Sequence, residues 1–218
     1  MNFTIGISLF IVILSFAGFI FLKYINLEDA TLNREIKIVT SNEIIDTFLD
    51  RYKAKIGNDL PGYKNHLYRV LTYSLHYLNG DTTFLPQIGV ALVYHDIGLW
   101  TDSTLAYLEP SSIRAESEGS AGFNAEETQL VKDIIYWHHK ITPFQGPHEN
   151  IVNAVRRSDW IDASKGVIPQ GMPRSLINQV NTAIPAAGFH DTLAGIGPRI
   201  HGNNFVKIIS EIVTIFKW

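Results

Sequence analysis

The spacing of apolar and polar positions divides the chain into one long apolar block followed by a series of helical stripes. Residues 3–22 run for twenty positions without a charged side chain and end at Lys23. A helix of that length covers about 30 Å, the thickness of a bilayer hydrocarbon core. No basic residue precedes the run, and Phe21-Leu22-Lys23-Tyr24 is not a cleavage signature. An uncleaved transmembrane anchor over residues 1–23 is therefore expected in preference to a signal peptide. Lys23, Arg34 and Lys37 all follow the span. That bias predicts a single-pass membrane protein with its C-terminal domain in the cytoplasm. Residues 24–42 are polar and mixed in charge, as in a linker.

From residue 43 onward the apolar positions recur at helical spacing. Ser41 or Asn42 is placed to cap a helix over Ile44–Ile56, whose stripe is Ile44, Ile45, Phe48 and Leu49. Pro61-Gly62 reads as a break before a helix over Tyr63–Leu78. Asn79-Gly80-Asp81 is a turn signal. The next helix begins at Thr82 or Thr83 and ends at Asp96, with Pro86 in its first turn, where a missing amide donor costs little. Leu99 to Gly122 reads as loop. Asn124 with Glu127 resembles a capping box opening Ala125–Lys140. Further helices are expected over Glu149–Ser164, Arg174–Ile184 and Phe205–Phe216, while the stretch around Gly195 and Gly197 carries no clear pattern. No alternating strand or internal repeat interrupts the series. The fold class is all-α, with residues 43–218 as one helical domain.

Composition narrows the chemistry. The chain has no cysteine, which excludes disulfides, thiolate zinc sites and cysteine nucleophiles. Any metal must be held by His, Asp and Glu, a donor set suited to divalent Mn, Mg, Fe, Co, Ni or Zn. A net charge of −3 gives no electrostatic footprint for nucleic acid.

The stretch Val90–Gly98 joins an apolar helical run to His95-Asp96, with a glycine two positions on. At about 100° per residue, His95 continues the face of Ile88 and Leu92. His138 likewise extends the stripe of Leu130, Val131, Ile134 and Ile135, while His139 is turned about 100° away. Asp159 aligns with Val152, Val155 and Ala163, and a carboxylate on an apolar face needs a cation or a hydrogen-bonding partner. His66 sits at the margin of the face of Leu67, Val70 and Leu71. Each of these residues alone is most simply an ordinary core or surface polar group; the coincidence of all of them on inward faces has no simple packing explanation. Adjacent His and Asp converge on one centre only where the helix stops, and Gly98 permits such a turn.

In this order, His66, then His95-Asp96, then His138-His139, then Asp159, the chain resembles the HD-domain superfamily of metal-dependent phosphohydrolases, from about residue 60 to about residue 165. The resemblance implies an all-α HD-type bundle in which His66, His95, Asp96 and Asp159 ligate one divalent metal. It implies a role for His138 in binding a second metal or contacting phosphate. The activity implied is hydrolysis of a phosphate ester or anhydride, with Asp96 and His138 as catalytic residues. Nucleotides and cyclic nucleotides are among the small phosphorylated substrates it allows. Several members carry lysine directly after the His-Asp-x-Gly stretch, where this chain has Leu99. Either the substrate is not the usual one or phosphate recognition comes from elsewhere: from Lys140 and Arg156, each of which serves equally well in a structural ion pair, or from Arg157, which serves equally well as a solvated surface charge. Asp162 is expected beside the ligands or as a cap, and His76, His148, His190 and His201 as ordinary polar positions. Two rivals remain: a di-iron oxygenase on the same scaffold, which wants further histidines, and a non-catalytic metal- or ligand-sensing module.

Overall fold

The computed structural model describes residues 27–216. Among them every regular element is helical and no strand occurs, in keeping with the sequence periodicity. No helix among the described residues is long and apolar enough to cross a membrane. The anchor expected over residues 1–23 lies outside them.

The described part of the expected linker is packed against the domain. Leu32 and Ile36 are buried. Asp29 donates its backbone N–H to the Gly171 carbonyl at 2.7 Å, and Val39 donates to Thr72 Oγ1 at 3.1 Å. Mixed charge hid the few apolar positions that fasten this segment. It ends at Asn42, whose side chain accepts from the Ile44 and Ile45 amides and caps α1 (Glu43–Asp50). The single helix expected to Ile56 is interrupted at Arg51-Tyr52, where Tyr52 enters the core, and resumes as the short α2 (Lys53–Ile56).

Helix α3 (Leu60–Tyr77) starts earlier than expected. Pro61 falls in its first turn, where no intrahelical amide is required, so the Pro-Gly pair opens the helix instead of breaking the chain. A Cβ on Gly62 would meet Phe189 N at 2.7 Å and the Ala187 carbonyl at 2.9 Å. That glycine lets a distant segment press directly on α3. Helix α4 (Leu85–Tyr94) is buried along its whole length from Gln87. The region expected as loop contains α5 (Gly98–Thr101), α6 (Leu108–Arg114) and a π-helical turn over Ala115–Gly119. Helix α7 (Ala125–Trp137) opens with the expected capping box, Glu127 N–H to Asn124 Oδ1 at 2.9 Å and Asn124 N–H to Glu127 Oε2 at 2.8 Å. Four helices complete the domain: α8 (Glu149–Ala163), α9 (Arg174–Ala183), α10 (Phe189–His201) and α11 (Phe205–Phe216).

Helix α3 lies along α8, and α4 along α7, with α1 against α4. Their apolar faces form the main core, including Leu67, Val70, Leu92, Val131, Ile134 and Val155. A smaller cluster joins Ile36 and Tyr73 to Met172 and Val180. A third joins Leu99, Tyr107 and Leu108 to Ile196 and Ile215, so α10 and α11 close over the segment that follows His95-Asp96.

Candidate metal centre

Two helix ends face each other across the middle of the bundle, and they are built alike. Helix α4 ends at Tyr94 and is followed by His95-Asp96; α7 ends at Trp137 and is followed by His138-His139. In both, the amide three residues past the last helical position turns back to that residue's carbonyl, Ile97 to Tyr94 at 3.1 Å and Lys140 to Trp137 at 2.9 Å. The tightened turn replaces the 100° helical step, so adjacent side chains converge. His139 therefore reaches the cluster, contrary to the expectation from phase along a helix running to Lys140. Pro143, three residues beyond Lys140, is the sequence signal that the helix stops early.

Gly98 acts through space, not through a special backbone angle. It is not among the positive-φ glycines. A Cβ there would lie 2.9 Å from the Tyr107 carbonyl and 3.0 Å from Tyr107 Cβ. The glycine allows Tyr107 to pack against the turn, and the Tyr107 hydroxyl makes a short hydrogen bond with His139 Nε2.

The tautomers of three histidines follow from their partners. His95 Nδ1 lies 2.6 Å from the Leu92 carbonyl, and His138 Nδ1 lies 2.6 Å from the Ile135 carbonyl. A carbonyl oxygen only accepts, so each Nδ1 carries hydrogen and each Nε2 turns a lone pair inward when the ring is neutral. His66 Nδ1 donates to Asp162 Oδ2 at 2.7 Å, and Asp162 also accepts from Arg69 Nε and from Arg69 Nη2 at 2.8 Å. Phe189, admitted by Gly62, stacks on the His66 ring at 4.0 Å between centroids. An anchored Nδ1–H with a free Nε2 is the usual posture of a metal-ligating imidazole.

The inward atoms sort into two groups. His66 Nε2 and His95 Nε2 are 3.0 Å apart. Asp96 Oδ2 lies 3.2 Å from His95 Nε2, and Asp159 Oδ1 lies 3.4 Å from His66 Nε2. The opposite oxygens of the same two carboxylates turn to the other pair. Asp96 Oδ1 is 3.4 Å from His138 Nε2, and Asp159 Oδ2 is 3.4 Å from His139 Nδ1. Two histidine pairs are thus joined by two carboxylates. Three of these inward atoms, Asp96 Oδ1, His138 Nε2 and Asp159 Oδ2, are buried without a hydrogen-bond partner. Buried polar atoms are normally satisfied. A cation among them would satisfy all three. The donor set fits a hard or borderline divalent metal.

Charge is distributed unevenly across the cluster. Burial holds His66 down to about 4, against the pull of Asp162. Burial also disfavours charge on His95, but Asp96 and Asp159 together outweigh it and raise that imidazole to about 9. Asp96 is driven well below the usual carboxylate range, because the charge on His95 overcomes its burial. Asp159 is pushed well above that range by burial. Without a metal, a proton on His95 supplies the positive charge between the facing nitrogens. His138, lowered by burial, is neutral and turns an acceptor inward. It suits a cation better than a phosphate oxygen, which is also an acceptor.

His66, His95, Asp96, His138 and Asp159 are therefore brought together as the sequence pattern anticipates; Lys140 and Arg156 are engaged elsewhere. Lys140 Nζ donates to the Ile215 carbonyl at 2.9 Å. Arg156 donates to the Lys140 and Ile141 carbonyls at 3.1 and 3.2 Å and to Asn153. Arg156 thus braces the α7–α8 connection and Lys140 ties that connection to α11, while Leu99 is packed in the third apolar cluster. Sequence reasoning missed His139, Arg69 and Phe189, of which only His139 carried a local signal. In the cluster only His139 has appreciable solvent exposure, 19% of its side chain, against 4% or less for the others. Comparison of the chain with protein-family models, curated proteins and solved structures gives no match.

Proposed function

We propose that the protein is a divalent-metal-dependent phosphohydrolase of HD type, acting on a phosphate ester or anhydride such as a nucleotide. The observation that carries the reading is the convergence of three Nδ1-anchored histidines with two carboxylates on one buried centre. His66, His95, Asp96 and Asp159 would hold one ion, and His138 and His139 would hold a second with the other oxygens of the same carboxylates. Such an ion supplies a Lewis acid that polarises a phosphoryl oxygen and lowers the pKa of water from about 15.7 towards neutrality. Asp96, ionised beside the ion, would orient the attacking water by accepting its hydrogen bond. Tyr107 holds the His139 ring at the exposed edge, where substrate would enter. Charge on the transferring group would be met by the metal and by substrate contacts at that edge.

Full-length protein, solubilised in detergent, tests this by metal analysis together with hydrolysis of phosphomonoesters and phosphodiesters in the presence of Mn. His95→Ala and Asp159→Ala should each lose metal and activity together. Full metal content in both variants would show that the ligand set is wrong; stoichiometric metal without hydrolysis by wild type would count against the activity alone.

A second reading gains from one observation. A di-iron oxygenase needs extra histidines, and His139 beside Asp159 gives the cluster four histidines and two carboxylates. Oxygen uptake by iron-loaded protein, without hydrolysis of phosphate substrates, would favour it.

A further inference from the structure

Helix α11 has more apolar surface than the domain covers. Ile215 is buried and Ile208, Ile212 and Phe216 are partly covered, packing towards Leu99, Leu105 and Ile196. Phe205, Val206, Ile209 and Val213 point outward, the first two with 70% and 80% of their surface exposed. At about 100° per residue these four fall within an arc of about 100°, while Lys207 lies on the far side of the helix. Soluble surfaces do carry scattered apolar residues, but four on one helical face form a patch that marks an interaction surface.

The neighbourhood indicates what covers it. Phe216, at the end of α11, meets Trp160 of α8 at 6.3 Å between ring centroids. One helical turn earlier on the same side of α8, Arg157 donates to the Gln170 carbonyl, beside the Gly171 carbonyl that accepts from Asp29. The described chain therefore enters, at exposed Leu27, on the side of α8 where α11 ends. Val167 in the loop before Gly171 is exposed too, as is Ile141, whose carbonyl Arg156 holds on the neighbouring turn. Just before Leu27, the sequence carries twenty charge-free residues, enough to match a hydrocarbon core. Folding that segment onto α11 would leave most of its own apolar surface in water, because it has no charged face to present. A bilayer would cover both.

We propose that the outward face of α11 docks on a lipid bilayer, with Phe205, Val206, Ile209 and Val213 in the interface and Lys207 towards water. An amphipathic helix in this position lies with its apolar side about 5–10 Å into the headgroup and acyl boundary. The surface stands independently of the reaction assigned to the metal centre.

The absence of cysteine makes a direct test available. Val206→Cys, Lys207→Cys and Lys53→Cys variants of the full-length chain are labelled with a polarity-sensitive fluorophore and reconstituted into phosphatidylcholine vesicles. Each is then exposed to a lipid-borne quencher and, separately, to iodide. The label at position 206 should emit to the blue of the other two, with a ratio of lipid to iodide quenching several-fold higher. Iodide quenching at 206 equal to that at 53 overturns the proposal. So does protection at 206 from both quenchers, which would mean that residues 3–22 or a second copy of the chain covers the face.

Discussion

Removing the charge of Asp162 should damage the fold and the metal centre by separable amounts. The carboxylate is buried and is lowered to about 2, because hydrogen bonds from His66 and Arg69 and their charges outweigh its burial. Relative to the ordinary 3.8, that shift corresponds to about 2 kcal/mol. The pKa is depressed, so this stability is fully present above 3.8 and is lost as pH falls through about 2. Asp162→Asn at neutral pH should cost more than the titration does, because it also strands the buried Arg69 guanidinium. Breaking a buried pair from one side typically costs about 3–5 kcal/mol. The asparagine oxygen can still accept from His66 Nδ1, but more weakly, and loss of a partner behind a ligand lowers metal affinity about 10–100-fold. Denaturant unfolding with chelator present reads the first effect, and competition titration with a chromophoric chelator reads the second. The double variant Arg69→Met/Asp162→Leu removes both charges. It should regain most of the folding stability, since buried pairs are often replaceable by apolar groups, yet keep the affinity defect because His66 loses its acceptor. If Asp162→Asn changed stability by no more than a surface substitution does, about 0.5 kcal/mol, and left metal affinity untouched, the coupling of Arg69 through Asp162 to His66 would be refuted.

Three further outcomes follow from the same geometry. His139→Ala should reduce bound metal from two ions to one while leaving the His66–His95 group occupied, as read by metal analysis after gel filtration. Gly98→Ala should destabilise by about 1–3 kcal/mol, the usual effect of overpacking, because its Cβ meets Tyr107 at 2.9–3.0 Å; an unchanged unfolding midpoint would mean that the contact relaxes freely. Metal affinity should climb about tenfold per pH unit from 6.5 towards about 9, since the raised His95 keeps a proton that the ion must displace; a flat profile over that range would mean that His95 is not a ligand.

The helical class, most element positions and the residues at the centre of the cluster were legible because each rests on a periodic or local signal. His95, His138 and Asp159 continue apolar stripes, and Asn124 with Glu127 makes a capping box whatever surrounds it. What could not be read depends on contacts made far along the chain. Gly98 looked like a backbone hinge, and its need for space is visible only once Tyr107 packs on it. The same is true of Gly62 and Phe189, 127 positions apart, and of Lys140, whose carbonyl partner belongs to α11. His139 was misjudged for a different reason: one added turn of assumed helix rotated it out of the site.

The bonds from His95 Nδ1 to the Leu92 carbonyl and from His138 Nδ1 to the Ile135 carbonyl make each imidazole part of its own helix terminus. Those carbonyls belong to the last turn, which has no intrahelical donor of its own. The imidazole caps the turn, and the turn in return fixes the imidazole's orientation. Ions held in the two groups, which Asp96 and Asp159 join, would therefore act as a clasp on both helix ends, suppressing their fraying. Amide hydrogen exchange at Ile97, Leu99 and Lys140 should slow on metal addition even though none of these amides touches the ion, making local opening of the backbone a sensitive reporter of occupancy.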